Sequence, residues 1–303
     1  MAVYVVGDFL RETRIRKGYT QEEVSYGICT PASLSRIENG AQKPGRLILE
    51  KLFERLGTEN NLFNSFVSRE EMELYSAIQE LIRNITDDDV AKIEVQIKVV
   101  ERLAENTSEL EHQCLYFAKG ELARQKEKDD EKAMEMYMKA IHITLPDFDG
   151  KNPLRNNLLT FDEIMIINAI AIIQAQNGET MIAVKLDMWL KDYMENKVID
   201  GTMKTAKYPM ILYNLSYWLG EEKCHSEALK MAEQGVEFCI KYGNLAFFPI
   251  LLFNKGGALA EIGDFESAKK YLHQSITIFE AMERPDLIQI AVEWCKLHYQ
   301  MEF

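Results

Sequence analysis

Two helix starts and one helix stop fall between Thr20 and Gly40, and that density of signals leaves room only for two short helices across a tight turn. Thr20 with Glu23 makes a capping box: the hydroxyl takes the Glu23 amide and the carboxylate reaches back to Thr20. Val24 and Ile28 then point to one side. The chain turns at Gly27, Ile28 and Cys29, and Thr30 is a second N-cap, with Pro31 at the first helical position, where a missing amide costs nothing. This second helix is expected to bury Leu34 and Ile37 and to stop at Asn39-Gly40. Its other face shows Thr30, Ala32, Ser33, Ser35, Arg36 and Asn39. Those residues are small, polar or basic, which suits a major groove where bulk clashes and donors are useful.

The stretch resembles the Cro/C1-type helix-turn-helix, with Leu10 and Arg14 upstream, KGYTQEE, then SLSRIENG and Pro44. The resemblance implies that Gln21 lies on a backbone phosphate. It implies base contacts from the face formed by Thr30, Pro31, Ala32, Ser33, Ser35 and Arg36, with Asn39 and Lys43 on the phosphates beyond. Pro31 and Ala32 stand where relatives often carry longer polar side chains, so direct readout falls mainly to Ser35 and Arg36. Arg14 and Glu38 occupy the positions of a structural ion pair and are expected to serve the scaffold.

The 303 residues are 47% hydrophobic, which is enough for more than one domain. No apolar run reaches the roughly 18 to 20 residues of a membrane span. The opening MAVYVVGDFLRETRIRKG has charges inside its apolar segment and is not expected to be a signal peptide. Cys29, Cys114, Cys224, Cys239 and Cys295 are scattered without a CxxC and read as buried, reduced thiols, so a cytoplasmic location is expected. The histidines are equally dispersed, and neither metal nor cofactor is expected. Residues 1–65 carry nine Lys/Arg and eight Asp/Glu, so the net charge of −13 lies almost wholly beyond them. An acidic second domain repels a polyanion and is expected to meet a neutral or basic partner rather than DNA.

Helices are expected over Gly7–Lys17, with Phe9, Leu10 and Ile15 buried, and from Pro44 to Gly57, with a short apolar segment next at Leu62, Phe63 and Phe66. The first domain is placed at residues 1–66 and the second at 67–303. The small head has a thin core, so its last helix is expected to lean on the second domain. Beyond Glu70 the pattern is helical throughout, with starts marked at Thr86–Asp89, at Ser108 with Glu111 and at Thr160 with Glu163. The segment from Leu251 to Glu280, with Gly256, Gly257, the turn at Gly263-Asp264-Phe265 and the crossing residue Ala268, resembles a tetratricopeptide repeat (TPR). Weaker copies align on Ala228, Ala183 and Ala133. Their intervals of 50, 45 and 40 residues, first to last, mark degenerate repeats. A further pair is expected over Glu71–Glu105 and a closing helix over Asp286–Met301. The irregular stretch Thr144–Leu159 holds Asp147, Asp149 and Asn152, but the glycine and closing glutamate of an EF-hand loop are misplaced, so it reads as a turn.

Asn168, Asn214 and Asn254 recur at nearly the same place in the first helices of three successive hairpins, each inside an apolar run. A carboxamide matches the backbone amide of an extended peptide, and first helices line the inside of a TPR superhelix. Ile164, Gln174, Tyr213, Tyr217 and Phe253 surround them, and Lys119 lies in the matching helix of the preceding hairpin. Bonding of each Asn to a neighbouring helix, setting repeat packing, is the alternative. Trp189, Tyr208, Trp218 and Trp294 read as core or groove-edge aromatics, with the core role preferred.

Together the short-form GICTPASLSRIENG and the degenerate hairpins resemble the Rgg/PlcR-type (RRNPP) family of Gram-positive quorum-sensing regulators. The expected fold is all-α: a five-helix Cro/C1-type head and then a right-handed TPR-like α-hairpin superhelix. The resemblance implies a homodimer on a two-fold DNA operator, controlled by a short signalling oligopeptide in the TPR groove. A TPR domain that docks a folded protein is the alternative. A phosphatase role has no nominated Gln or carboxylate, and without a nucleophile–base spacing or P-loop the chain reads as a non-enzyme.

Overall fold

The computed structural model describes residues 6–58, 69–86, 89–104, 109–154, 157–197, 199 and 201–300. It forms two compact units, Met1–Gln176 with Lys197–Asp200, and Asn177–Asn196 with Gly201–Phe303. Among the described residues there is no strand and no helix long and apolar enough to cross a membrane.

The first unit opens with α1 (Val6–Arg16), α2 (Gln21–Ser25), α3 (Pro31–Glu38) and α4 (Arg46–Arg55). Local chemistry fixes their ends. Thr20 accepts from the Glu23 amide at 3.1 Å while the Glu23 carboxylate accepts from the Thr20 amide at 2.7 Å, and Thr30 accepts from the Ser33 amide at 3.1 Å. Leu10, Val24, Leu34 and Leu52 are fully buried between the four helices. Gly7 lets α1 touch α3, since a Cβ there would stand 2.1 Å from the Ile37 carbonyl oxygen. Ile15, expected in this core, is 57% exposed. The buried side of α1 runs through Gly7, Leu10 and Thr13 at three-residue steps, and Ile15 lies off that line. The segment at Leu62, Phe63 and Phe66, the fifth helix of the head and the boundary at 66/67 fall outside the described residues.

The unit continues with α5 (Arg69–Thr86), α6 (Val90–Leu103), α7 (Glu109–Leu122), a π-helical turn at Ala123–Glu127, α8 (Asp130–His142) and α9 (Phe161–Gln176). Leu81, Ile93, Val100 and Ala118 are its buried centre. Asp89 caps α6 by accepting from the Lys92 amide, and a second capping box at Thr160 and Glu163 starts α9. Asp87, Asp88 and Ser108 lie outside the described residues. In the irregular stretch before α9, Asp149 accepts from the Lys151 and Asn152 amides, which makes it a turn former.

The second unit is α10 (Thr180–Asn196), α11 (Gly201–Glu221), α12 (His225–Tyr242), α13 (Phe248–Glu261), α14 (Phe265–Ala281) and α15 (Pro285–Tyr299). Its repeat is visible in the turns. After α11, α13 and α14 the amides of Cys224, Asp264 and Arg284 bond back five residues to Leu219, Leu259 and Phe279, and the preceding residue has positive φ. Gly263 takes that role once, while Lys223 and Glu283 hold φ of 59° and 54°. Ala183, Ala228 and Ala268, expected at helix crossings, are buried, as is Ala133 in the first unit. At Gly256 a Cβ would stand 2.6 Å from Leu272 Cγ, so a larger residue would push α14 off α13.

Candidate functional site

On α3, Thr30, Pro31, Ala32, Arg36 and Asn39 are exposed and Ser33 and Ser35 are half-buried, while Leu34, Ile37 and Glu38 face inward. The outward side chains are tied to one another. Ser33 Oγ receives hydrogen bonds from Thr30 Oγ1 at 3.0 Å and from Arg36 Nη2 at 3.2 Å, and Arg36 Nε donates to Gln42 Oε1 at 3.0 Å. Arg36 is thereby held across the exposed face with its guanidinium oriented. Asn39 Oδ1 accepts from Arg11 on α1 at 3.4 Å, and Lys43 is exposed just beyond. Arg11 and Gln42 are members of this surface that the sequence reading missed.

Beneath it, Arg14 makes a two-pronged ion pair with Glu38, at 2.6 and 2.9 Å, as the helix-turn-helix resemblance implied. Glu38 raises the Arg14 pKa by its hydrogen bond. Gln21 Nε2 donates to the same carboxylate at 2.7 Å. In this structure the Gln21 amide belongs to the network that locks α1, α2 and α3 together.

A second charged network ties the head to the start of α9 inside the first unit. Lys51 meets Asp162 at 2.5 Å and Arg55 meets Glu163 at 2.8 Å, the latter pair with both side chains wholly buried. Arg55 also donates to the Tyr26 carbonyl, and the Tyr26 hydroxyl donates to Asp147 at 2.5 Å. The Glu54 carboxylate accepts from the Phe161 amide at 3.2 Å. Burial pushes the Glu54 pKa up to about 8; Lys51 opposes the rise, and Asp162 and Glu50 add to it. Burial works against the charge on Lys51, but Asp162 and Glu54 outweigh it and hold the ammonium above the ordinary lysine value. At Gly27 a Cβ would stand 1.9 Å from the Thr144 carbonyl oxygen, so the turn between α2 and α3 presses directly on the chain after α8. Leu110 and Leu158 complete the core of the head. Helix α4 therefore leans on the start of α9 through buried charges, and the core of the head is closed by apolar residues from beyond it.

Of the residues expected to line a groove, Lys119, Ile164, Asn168 and Gln174 belong to the first unit. Ile164 and Asn168 are buried, Gln174 donates to the Gly150 carbonyl at 3.1 Å, and Lys119 pairs with Glu101 at 2.7 Å. In the second unit Asn214 donates to Asp187 Oδ2 at 3.1 Å, and Asn254 donates to Ser216 Oγ at 2.8 Å. Asp187 is fully buried, its other oxygen has no partner, and burial lifts its pKa well above the ordinary carboxylate value, while the Asn214 bond works the other way. Both asparagines thus bond to a neighbouring helix, as the packing alternative requires.

The second unit brings Tyr213, Tyr217, Phe253 and Asn254 together in one pocket of about 440 Å³. Its walls come from α11, α13 and α15, with α12 and α14 behind. Phe253 and Trp294 meet edge to face, ring centroids 5.1 Å apart, and His298 stacks on Trp294 at 4.7 Å. Burial raises the pKa values of the Tyr213 and Tyr217 phenols, and Glu221 adds to the rise at Tyr217. Both tyrosines therefore stay neutral hydrogen-bonding groups at ordinary pH. Asn214 is one residue from Tyr213 but faces α10 rather than the pocket.

Two family models match the chain: "Helix-turn-helix domain" over residues 5–66 and "RNPP family C-terminal domain" over residues 151–299. The chain belongs to the RNPP family. An uncharacterized HTH-type transcriptional regulator, YqaF of Bacillus subtilis (strain 168), is 36% identical over 63 residues, 20% of this chain and 83% of that protein. Among solved structures, Bacillus thuringiensis PlcR in complex with the peptide PapR7 and DNA is similar with a TM-score of 0.62. It is 19% identical, with 95% of this chain and 98% of that one covered. PlcR in its apo form gives 0.58 at 18% identity, with the same coverage. At these identities the likeness is one of fold. This RNPP protein is a helix-turn-helix, DNA-binding transcriptional regulator with TPR-like hairpins, and not an enzyme.

Several pocket residues of this RNPP regulator escaped the sequence reading. Glu221, His225 and Glu261 come from the ends of α11, α12 and α13, and His298 and Tyr299 from the closing helix. The signal that could have found them was Trp294 with His298 at a four-residue step, opposite the side-chain-free Gly257.

Proposed function

We propose that the protein is a cytoplasmic homodimeric regulator that binds a two-fold DNA operator and is controlled by a short oligopeptide held on the first helices of its TPR-like hairpins. The reading takes residues 1–66 as the DNA-binding domain and 67–303 as the peptide-binding and dimerisation domain. Gln21, Asn39 and Lys43 anchor phosphates, and the face from Thr30 to Arg36 reads bases. The observation that carries the peptide half is the pocket formed by Tyr213, Tyr217, Phe253 and Asn254, apolar walls with polar tips in a regulator of the RNPP family. PlcR, of similar fold, has been solved with a peptide and DNA together, which supports the same pair of ligands.

The first unit supplies a route for the signal. Helix α9 carries Asp162 and Glu163 against the head, and Ile164, Asn168 and Gln174 further along the same rigid rod. Any displacement of α9 is therefore passed to the head. A tenfold change in operator affinity needs a preference of only about 1.4 kcal/mol for one arrangement.

The test is selection of genomic fragments by the purified full-length protein. An inverted repeat should emerge with half-sites about 34–36 Å apart, or a multiple of it. A short-peptide extract of the host culture should shift affinity for that repeat. Enrichment without symmetry removes the dimer from the reading. A repeat whose affinity ignores the extract transfers the TPR-like domain to a protein partner.

A further inference from the structure

The pocket between α11, α13 and α15 has an apolar floor and an acidic rim. Large apolar groups on it are left open to solvent, with Tyr217 49% and Ile290 63% exposed. Gly257 adds to the space, because the missing side chain opens the wall toward Trp294, 3.4 Å from where a Cβ would sit. Among the described residues the lining contains Glu221 and Glu261 but neither Lys nor Arg. Glu261 is fixed in place: Tyr299 donates to its Oε1 at 2.8 Å, and His225 Nε2 lies 3.8 Å from its Oε2. Glu221 is exposed and makes no ion pair among the described residues. The Nδ1 atom of His225 is buried without a partner on the same wall. An aromatic floor beside two carboxylates attracts a cation twice over, through the charges and through the ring faces.

We propose that this pocket selects peptides in which a large apolar side chain stands next to a positive charge, the side chain against Phe253 and Trp294 and the ammonium against Glu221 and Glu261. The inference rests on the peptide-receptor reading and narrows it to a chemical class. The ammonium has two possible sources, the peptide's own amino terminus or a lysine beside the apolar residue.

The experiment uses the full-length protein and four synthetic probes, with binding followed by calorimetry. These are Phe-Ala-Ala-Ala amide with a free amino terminus, its N-acetyl form, N-acetyl-Lys-Phe-Ala-Ala amide and the same peptide with norleucine for lysine. Each cationic probe should bind about tenfold more tightly than its neutral counterpart, as expected for a charge-assisted hydrogen bond. The preference should shrink in Glu221→Gln and Glu261→Gln, both at exposed or half-exposed positions where folding is safe. A preference confined to the first pair assigns the cation to the amino terminus, and one confined to the second assigns it to lysine. Equal binding of charged and neutral probes, or a preference unchanged in both variants, overturns the proposal and leaves the receptor reading standing. Failure of that reading shows separately, as the absence of any oligopeptide on protein isolated from its own host.

Discussion

Replacing Arg55 by Met tests how the head is fastened to α9. Arg55 and Glu163 have no exposed side-chain surface and lie 2.8 Å apart. Removing one partner leaves the other charge buried without its counterion, which costs about 3–5 kcal/mol. Glu163 keeps the Thr160 amide at 2.6 Å, so the lower end, about 3 kcal/mol, is expected. Glu163→Leu alone costs a similar amount, because Arg55 then holds only the Tyr26 carbonyl, with its Nε already unpartnered. The double variant has an apolar pair of similar volume and should recover most of the loss, since burying two charges offsets their attraction. Urea unfolding of the four proteins gives the cycle, with a coupling energy of more than about 3 kcal/mol expected. A single substitution costing under about 0.5 kcal/mol would place the pair on a solvated surface and refute the reasoning. So would a double variant as unstable as the sum of the singles.

The same geometry sets four further outcomes. Glu54, ordinarily near 4.5 and raised to about 8, binds its proton more tightly when folded, so it contributes stability that is full below pH 4.5 and lost as pH rises through 8. Thermal melts should fall between about pH 4.5 and 8, and Glu54→Gln should flatten that slope; an unchanged slope would exclude Glu54 as its source. Arg36→Ala should cost about 1–3 kcal/mol in operator discrimination with the melting temperature unaltered, read by competition between operator and scrambled DNA. Asn214→Ala takes the donor from a buried carboxyl and should lower stability by about 1–3 kcal/mol in urea. Loss of peptide response without any loss of stability would instead return Asn214 to the groove. Gly256→Leu should destabilise the second unit by about 1–3 kcal/mol through overpacking against Leu272, measured by the same method.

What could be read from the sequence was local. The caps at Thr20, Thr30 and Thr160 and the stop at Asn39-Gly40 depend on residues three or four apart, and each lies where that chemistry puts it. The crossing alanines were legible because a close helix crossing tolerates no larger side chain. What was hidden depends on distant partners. Lys51 with Asp162 and Arg55 with Glu163 are more than 100 residues apart, and nothing in either segment names the other. The asparagine ladder was visible as a periodicity, but Asp187 as the partner of Asn214 was not, because a buried carboxylate on α10 looks like an exposed one in sequence. Ile15 misled because a short amphipathic helix offers two plausible faces, and the choice is made by α3 and Gly7.

Occupation of this regulator by an oligopeptide is what the proposed function requires above all. It is tested most directly by native mass spectrometry of the protein purified from its own host and from a host lacking the neighbouring genes. An added mass of an oligopeptide is expected in the first sample alone, displaced when Trp294 or Phe253 is replaced by Ala. The same bare mass in both samples would contradict it and leave the DNA-binding head in search of a different controlling partner.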